Sequence, residues 1–504
     1  MSMDPEAPAS RQQKQRRPTE MPGVLKLWET SPTGLDPRVD MFLSSLAVDS
    51  RLLEVDLEGS AAHAAMLGVK GIIPQSSAKA LTDALAAMLA EARAGALKPD
   101  AGAEDVHSFI ELELTRRLGD TGKMVHAGRS RNDQVALDMR LYLRQAFNEA
   151  KVGVLDVIGS LCDLASANLE SYMPAYTHMR RAQPSTLAFH LLAWCAALER
   201  DWGRFDDAAK RADECPLGSA AVAGSGLPLD REAVARALGF ARPSRNAMDA
   251  TADRDACVEY AAAAATLLMH LSRYCEEIIL WSSAEFGFMD IGNECSTGSS
   301  IMPQKRNPDV AELVRGKTGR VFGSLVSLLT IQKGLPLGYD RDLQEDKAAV
   351  FDLRDTLAGV LPAFAALIEA LKPKPAAMAA ALETGFAEAT DLAELLVAKG
   401  VPFRDGYAAT KAAIAAATAK GVALAALSDT DLAAVTGAFA QAGIKAADLS
   451  AYLKPGACVA RRNLVGGPAP VRTAAEIARL RSFVEKAAES QSSLWPQPAD
   501  LNGV

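Results

Sequence analysis

The chain has 504 residues, 49% of them hydrophobic and 6% aromatic, too many for one compact core, so several domains or one extended helical body are expected. The formal net charge of −8 gives no reason to expect a nucleic-acid partner, and no run of about 18 apolar residues marks a membrane span. Seven dispersed cysteines, without a Cys-x-x-Cys pair or a His/Cys cluster at metal spacing, fit a reducing cytoplasm and argue against a metal centre.

The first segment is polar and basic through Arg11, Lys14, Arg16 and Arg17 and has no apolar h-region. It reads as a disordered extension over residues 1–20 rather than a secretory signal. Beyond it the chain predicts helices almost throughout: alanine is abundant, β-branched alternation is scarce, and apolar residues recur at spacings of three and four. Turn-rich breaks fall at residues 71–77, 213–228, 292–307 and 372–375, and no repeat of fixed period interrupts the pattern.

The stretch from His126 to Gln134 is the first to carry chemistry. Ser130 and Asp133 stand at capping-box spacing before Val135, Leu137 and Leu141, so Arg129, Arg131 and Asn132 cluster at a helix start. Guanidinium groups there can grip carboxylates in a bidentate fork. Next, Thr177 and His178 precede Gln183 and Pro184 and a helix whose apolar stripe runs through Leu187, Leu191, Trp194, Leu198, Trp202 and Phe205. A histidine beside a hydroxyl can serve as a general acid or base near neutral pH. Residues 256–281 are apolar on nearly every side, as expected of a helix inside a bundle, and His270, Arg273, Glu276 and Glu277 argue against a membrane helix. A bundle completed by other subunits would bury such a helix all round.

The most informative stretch is Gly298 to Asp309: two hydroxyls (Ser299, Ser300) behind a glycine, then Lys305 and Arg306, then Asn307, Pro308 and Asp309. Asn307 suits an N-cap and Pro308 the first helical position, with Val310, Leu313, Val314 and Val321 continuing at helical spacing. A hydroxyl-bearing loop that feeds a helix N-terminus is a natural anion site. Residues 339–347 then bring Tyr339, Gln344 and Lys347, after which a break near residue 375 opens a region of short alanine-rich helices. Gly224-Ser-Gly226 lacks the third glycine and the strand of a dinucleotide loop, and neither a Walker sequence nor a nucleophile elbow occurs.

Three of these stretches resemble one family. Gly-Ser-Ser-x-Met-Pro-x-Lys-x-Asn-Pro resembles the signature loop of the fumarase and aspartase superfamily, and Gln-Lys-(Lys/Arg)-Asn-Pro-Asp its argininosuccinate lyase branch. His126 to Gln134 is similar to the branch's His-Thr-Gly-Arg-Ser-Arg-Asn-Asp-Gln, with Ala127 in place of threonine, and Tyr339 to Lys347 is similar to its Tyr-Asn-(Lys/Arg)-Asp-Leu-Gln-Glu-Asp-Lys. The likeness spans about residues 25–481. It departs at Leu27-Trp28-Glu29-Thr30, at Phe42-Leu43-Ser44-Ser45, and at Tyr407, which replaces a histidine.

The resemblance implies an all-α, three-domain lyase with a long central helical bundle: residues 21–130, 131–375 and 376–504, assembling into a homotetramer with shared sites. It implies β-elimination of argininosuccinate to arginine and fumarate, with neither cofactor nor metal. Ser299 would be the base, its alkoxide favoured by Lys305 and the helix dipole, and His178, oriented by Glu312, would protonate the leaving nitrogen. Lys305 and Asn307 would stabilise the dianionic intermediate; Ser45, Arg129, Asn132 and Thr177 would position carboxylates; Tyr339, Gln344 and Lys347 would hold the arginine-derived part. Two alternatives share these residues: a carbon–nitrogen lyase acting on another N-substituted aspartate, and a non-catalytic, crystallin-like protein.

Overall fold

The computed structural model describes residues 35–99 and 103–494, without the side chains of 490–494. The expected extension at 1–20 and the Leu27–Thr30 departure lie outside the described residues. Five long helices build the bundle: α1 (Arg131–Ser166), α2 (Leu187–Arg211), α3 (Asp255–Ser282), α4 (Asp309–Gln332) and α5 (Asp346–Ala370). α1 packs along α2 and α5, while α3 runs against α4 and α2. At about 1.5 Å per residue, α1 is roughly 54 Å long.

Its start follows the capping box read from sequence. The Asn132 amide donates to Ser130 Oγ at 3.3 Å, and the Ser130 amide donates to Asp133 Oδ1 at 3.0 Å. These bonds satisfy donors that a helix start otherwise leaves open. Small residues then set how closely the helices approach. A Cβ at Gly153 on α1 would lie 2.7 Å from Leu361 Cδ1 on α5, so only glycine admits that crossing. In α3, Ala261, Ala264, Leu267, Leu268 and Leu271 are all fully buried, as its all-round apolar sequence requires.

Hydrophobic contacts resolve into two clusters. The larger runs from Leu52 to Ala381 and includes Ile477 and Leu480 of the last helix, Pro470–Leu494, which packs on α1 and α2. The smaller joins residues from Leu392 to Leu453. The segment after residue 375 therefore divides: its middle forms a satellite core, and its end rejoins the bundle because Ile477 and Leu480 face α1.

Short strands interrupt the helices at two places where the sequence reading had expected loops. Tyr172–Thr177 and Arg180–Thr186 form an antiparallel hairpin with Pro174 opposite Pro184. Proline lacks the N–H a helix needs, which favours extended chain here. The second is a clasp in which Thr297 pairs with Asn307 and Gly298 with Arg306. Asn307 is therefore not the N-cap of α4 and Pro308 is not its first helical residue. Asn307 is spent on the strand pair, Pro308 (φ −84°, ψ 48°) occupies the cap, and the helix begins at Asp309.

Candidate active site

A cavity of about 140 Å³ opens at the N-terminal ends of α1 and α5. Asn132, Tyr339, Gln344 and Lys347, four of the residues expected from sequence, line it together. Ser45 joins this group indirectly, because its hydroxyl donates to the carboxylate of Asp49, itself on the cavity wall. Asn132 Nδ2 donates to the Ala221 carbonyl at 3.0 Å, which fixes the amide at the rim. Burial raises the Tyr339 phenol above its ordinary pKa, so it stays protonated as a donor.

Sequence reasoning missed much of the wall. Asp49, Glu104 and Asp105 form an acidic side, and His107, Arg131 and Arg341 add cations beside Lys347. Much of this charge is already matched: Arg131 Nη1 reaches Glu104 Oε2 at 3.3 Å and Asp105 Oδ2 at 3.0 Å, and Arg341 Nη2 donates to Glu104 Oε1 at 2.9 Å. The only sequence signal was the polar run Glu104-Asp105-Val106-His107 at a helix start, where Asp105 Oδ1 caps the Ser108 amide at 2.7 Å.

Beneath the cavity lies a buried network. His107 Nδ1 is 2.6 Å from Asp56 Oδ2 and 3.5 Å from Asp138 Oδ2. Asp56 Oδ1 also accepts from Ser60 Oγ at 2.9 Å and from Gln134 Nε2 at 2.7 Å, and Arg129 Nη1 donates to Ser60 Oγ at 2.8 Å. Arg129 thus sits behind the wall. Burial lowers the His107 pKa, but the charge of Asp56, its hydrogen bond, and Asp105 and Asp138 outweigh that and lift it to about 9. Asp56, His107 and Asp138 hold their ligand-type atoms within 4.8 Å of one another. Because His107 is an imidazolium and Asp56 already accepts three hydrogen bonds besides it, this donor set suits an ion-pair network better than a metal.

The remaining expected residues lie elsewhere in the subunit. Thr177 and His178 are exposed at the hairpin tip, where His178 and Met179 take φ of 53° and 58°. A two-residue hairpin turn of this hand requires positive φ at both positions. The turn is anchored by Arg181 Nη1, which donates to Thr384 Oγ1 at 2.5 Å. Ser299 and Lys305 occupy the loop closed by the Thr297/Asn307 clasp, and Glu312 is exposed in the first turn of α4. Ser299 Oγ accepts from the Met302 amide at 3.1 Å and from the Ile301 amide at 3.4 Å. At the foot of the loop, Arg306 Nη2 donates to the Ile291 carbonyl at 2.6 Å and to Ser296 Oγ at 2.7 Å. None of Thr177, His178, Ser299, Lys305, Asn307 or Glu312 lines the cavity that holds Lys347.

Known proteins share both the fold and these segments. The family described as Lyase matches residues 32–323, and the argininosuccinate lyase C-terminal family matches residues 386–460. The argininosuccinate lyase of Pelotomaculum thermopropionicum is 48% identical over 86% of this chain and 93% of its own. That of Heliobacterium mobile is 47% identical over 90% and 99%. Among solved structures, an EDDS lyase variant with bound fumarate superposes with a TM-score of 0.77 at 27% identity, covering 89% of each chain. Class II fumarase from Schistosoma mansoni shares the fold with a TM-score of 0.68 at 17% identity, over 84% of this chain and 94% of that one. A helical bundle carrying a Gly-Ser-Ser loop at the head of one long helix and a charged cavity at the head of two others defines a lyase of the fumarase and aspartase superfamily. Within it, the chain belongs to the argininosuccinate lyase family.

Proposed function

We propose that the protein cleaves argininosuccinate into arginine and fumarate by β-elimination. A proton leaves the succinyl methylene carbon, and its electron pair moves into the neighbouring carboxylate to give a dianion. Collapse of that dianion forms the fumarate double bond and breaks the carbon–nitrogen bond, and the departing guanidino nitrogen gains a proton. Ser299 is the base and His178 the acid, oriented by Glu312. Lys305 and Asn307 stabilise the dianion, and Thr177, Ser45, Arg129 and Asn132 act on the carboxylates. Tyr339, Gln344 and Lys347 hold the arginine-derived part.

The observation that carries the elimination is the pair of amides, from Ile301 and Met302, donating to Ser299 Oγ. A serine is a weak base unless its alkoxide is stabilised, and preorganised N–H donors beside Lys305 supply that stabilisation.

The acting form is a homotetramer in the cytoplasm whose sites are shared between subunits. Two features support this. The Ser299 loop, the His178 hairpin tip and the Lys347 cavity lie at separate places on one chain. α4 also leaves Phe322, Val326 and Leu329 43%, 61% and 49% exposed, beside Gly316, Gly319 and Gly323, where a Cβ would meet open space. An apolar, glycine-lined helix face of this kind is suited to close packing against a second helix. Seven free, buried cysteines fit a reducing compartment. The deciding experiment is to add argininosuccinate and follow fumarate by its ultraviolet absorbance, with arginine identified by mass. Formation of both products is expected; a folded tetramer that releases neither, but cleaves another N-substituted aspartate, would overturn the assignment.

A further inference from the structure

One carboxylate on the cavity wall stands out from its neighbours. Glu104 and Asp105 are engaged by Arg131, Arg341 and the Ser108 amide. Asp49 is 2% exposed, and its Oδ2 takes the Ser45 hydroxyl, but its Oδ1 is buried and accepts no hydrogen bond. The nearest cation, Lys347 Nζ, is 3.6 Å from that oxygen and 3.7 Å from Asp346 Oδ1, which also accepts none. Both distances exceed hydrogen-bond length. Asp346 is in turn paired with buried Arg254, which holds the start of α3 against the start of α5. The cavity therefore presents a carboxylate oxygen lacking a donor next to a loosely held ammonium, on a scaffold fixed from behind.

A buried acceptor without a donor carries a desolvation cost that a bound cationic donor removes, and the same holds for an ammonium awaiting an anion. An α-amino-acid head has both charges on adjacent atoms, at about the spacing these two groups offer. Resting on the lyase reading above, we propose that Asp49 accepts from the α-ammonium of the substrate's amino-acid head while Lys347 binds its α-carboxylate, and that Asp49 thereby restricts the site to amines bearing a zwitterionic head. A dicarboxylate or amine partner without the ammonium would leave Asp49 buried and unpaired, and sites of this type reject such analogues strongly.

The test uses the whole protein in the addition direction, with fumarate and either L-arginine or 5-guanidinopentanoate, which differs from arginine only in lacking the α-ammonium. Disappearance of fumarate is followed for the native protein and for Asp49→Asn, which keeps an oxygen for Ser45. The native protein should prefer arginine by about 10³-fold or more in kcat/KM. Asp49→Asn should lower kcat/KM for arginine by roughly 10- to 100-fold. It should leave the value for 5-guanidinopentanoate at its native level, so that the preference collapses. An equal loss for both amines would mark a purely structural role and overturn the proposal. If the variant fails to assemble, competitive binding to the native protein decides: 5-guanidinopentanoate binding as tightly as arginine would also overturn it. A native protein that forms no fumarate from argininosuccinate overturns the lyase reading itself, an outcome distinct from active enzyme with no preference.

Discussion

His107 Nδ1 lies 2.6 Å from Asp56 Oδ2, joining an imidazolium on the cavity wall to a carboxylate buried in the helix behind it. The folded pKa of about 9 lies above the ordinary histidine value of 6.5. The pair therefore contributes its full stability below about pH 6.5 and loses it as pH rises through 9. Asp138, pushed well above the carboxylate range by burial and by Asp56, adds no second negative charge at neutral pH. Calorimetric melting should show an alkaline fall in Tm centred near pH 9. His107→Gln should remove that fall and cost about 3 kcal/mol at pH 7, because it strands Asp56. An unchanged alkaline fall in the variant would show that another group is responsible.

Ser299→Ala should lower kcat by at least about 10³-fold, within the range that general-base catalysis supplies. Ser299 sits partly exposed on a loop, so melting temperature and assembly should not change. Rapid fumarate release by the alanine variant, measured in a single turnover, would move the base elsewhere.

How much of this was legible in the sequence depends on how local each cause is. The start of α1 was readable because Ser130 and Asp133 cap it within four residues, and α3 because its alanines leave no polar face. The Tyr172–Thr186 hairpin was not, since its turn is His178-Met179, two residues that rarely take positive φ, rather than a glycine-bearing pair. The clasp around the Ser299 loop has two-residue strands, too short to leave an alternating pattern, and it took Asn307 from the cap that its residue type favours. The acidic wall joins Asp49 and Glu104 to residues near 340, and no local period encodes that pairing.

The glycine face of α4 bears on assembly. Gly319 has open space where a side chain would point, so Gly319→Leu disturbs nothing within the subunit. In the tetramer the added branch would meet a neighbouring helix. Sedimentation should show native protein at four times the single-chain mass and the variant mostly at smaller mass, with activity lost in proportion. A fully active variant monomer would contradict sites built from several subunits.

Asp133 does two tasks that a simple cap does not. Its Oδ1 takes the Ser130 amide at 3.0 Å, while its Oδ2 takes the amides of Gly218 and Ala220 at 2.9 and 2.8 Å. The second set pins the loop whose Ala221 carbonyl holds Asn132. At Gly218 a Cβ would lie 2.7 Å from Arg231 Cγ, so this loop has little freedom to find another anchor. Asp133→Ala leaves three amides without an acceptor and should cost about 3 kcal/mol. It should also raise KM, since Asn132 loses its orientation at the cavity rim. Ser428→Ala offers the comparison: Ser428 Oγ caps the Asp431 amide at 3.2 Å beside the satellite core. That change should cost about 1 kcal/mol and leave KM unaltered. If Asp133→Ala matched Ser428→Ala in both denaturation midpoint and KM, the loop anchor would have no bearing on the site.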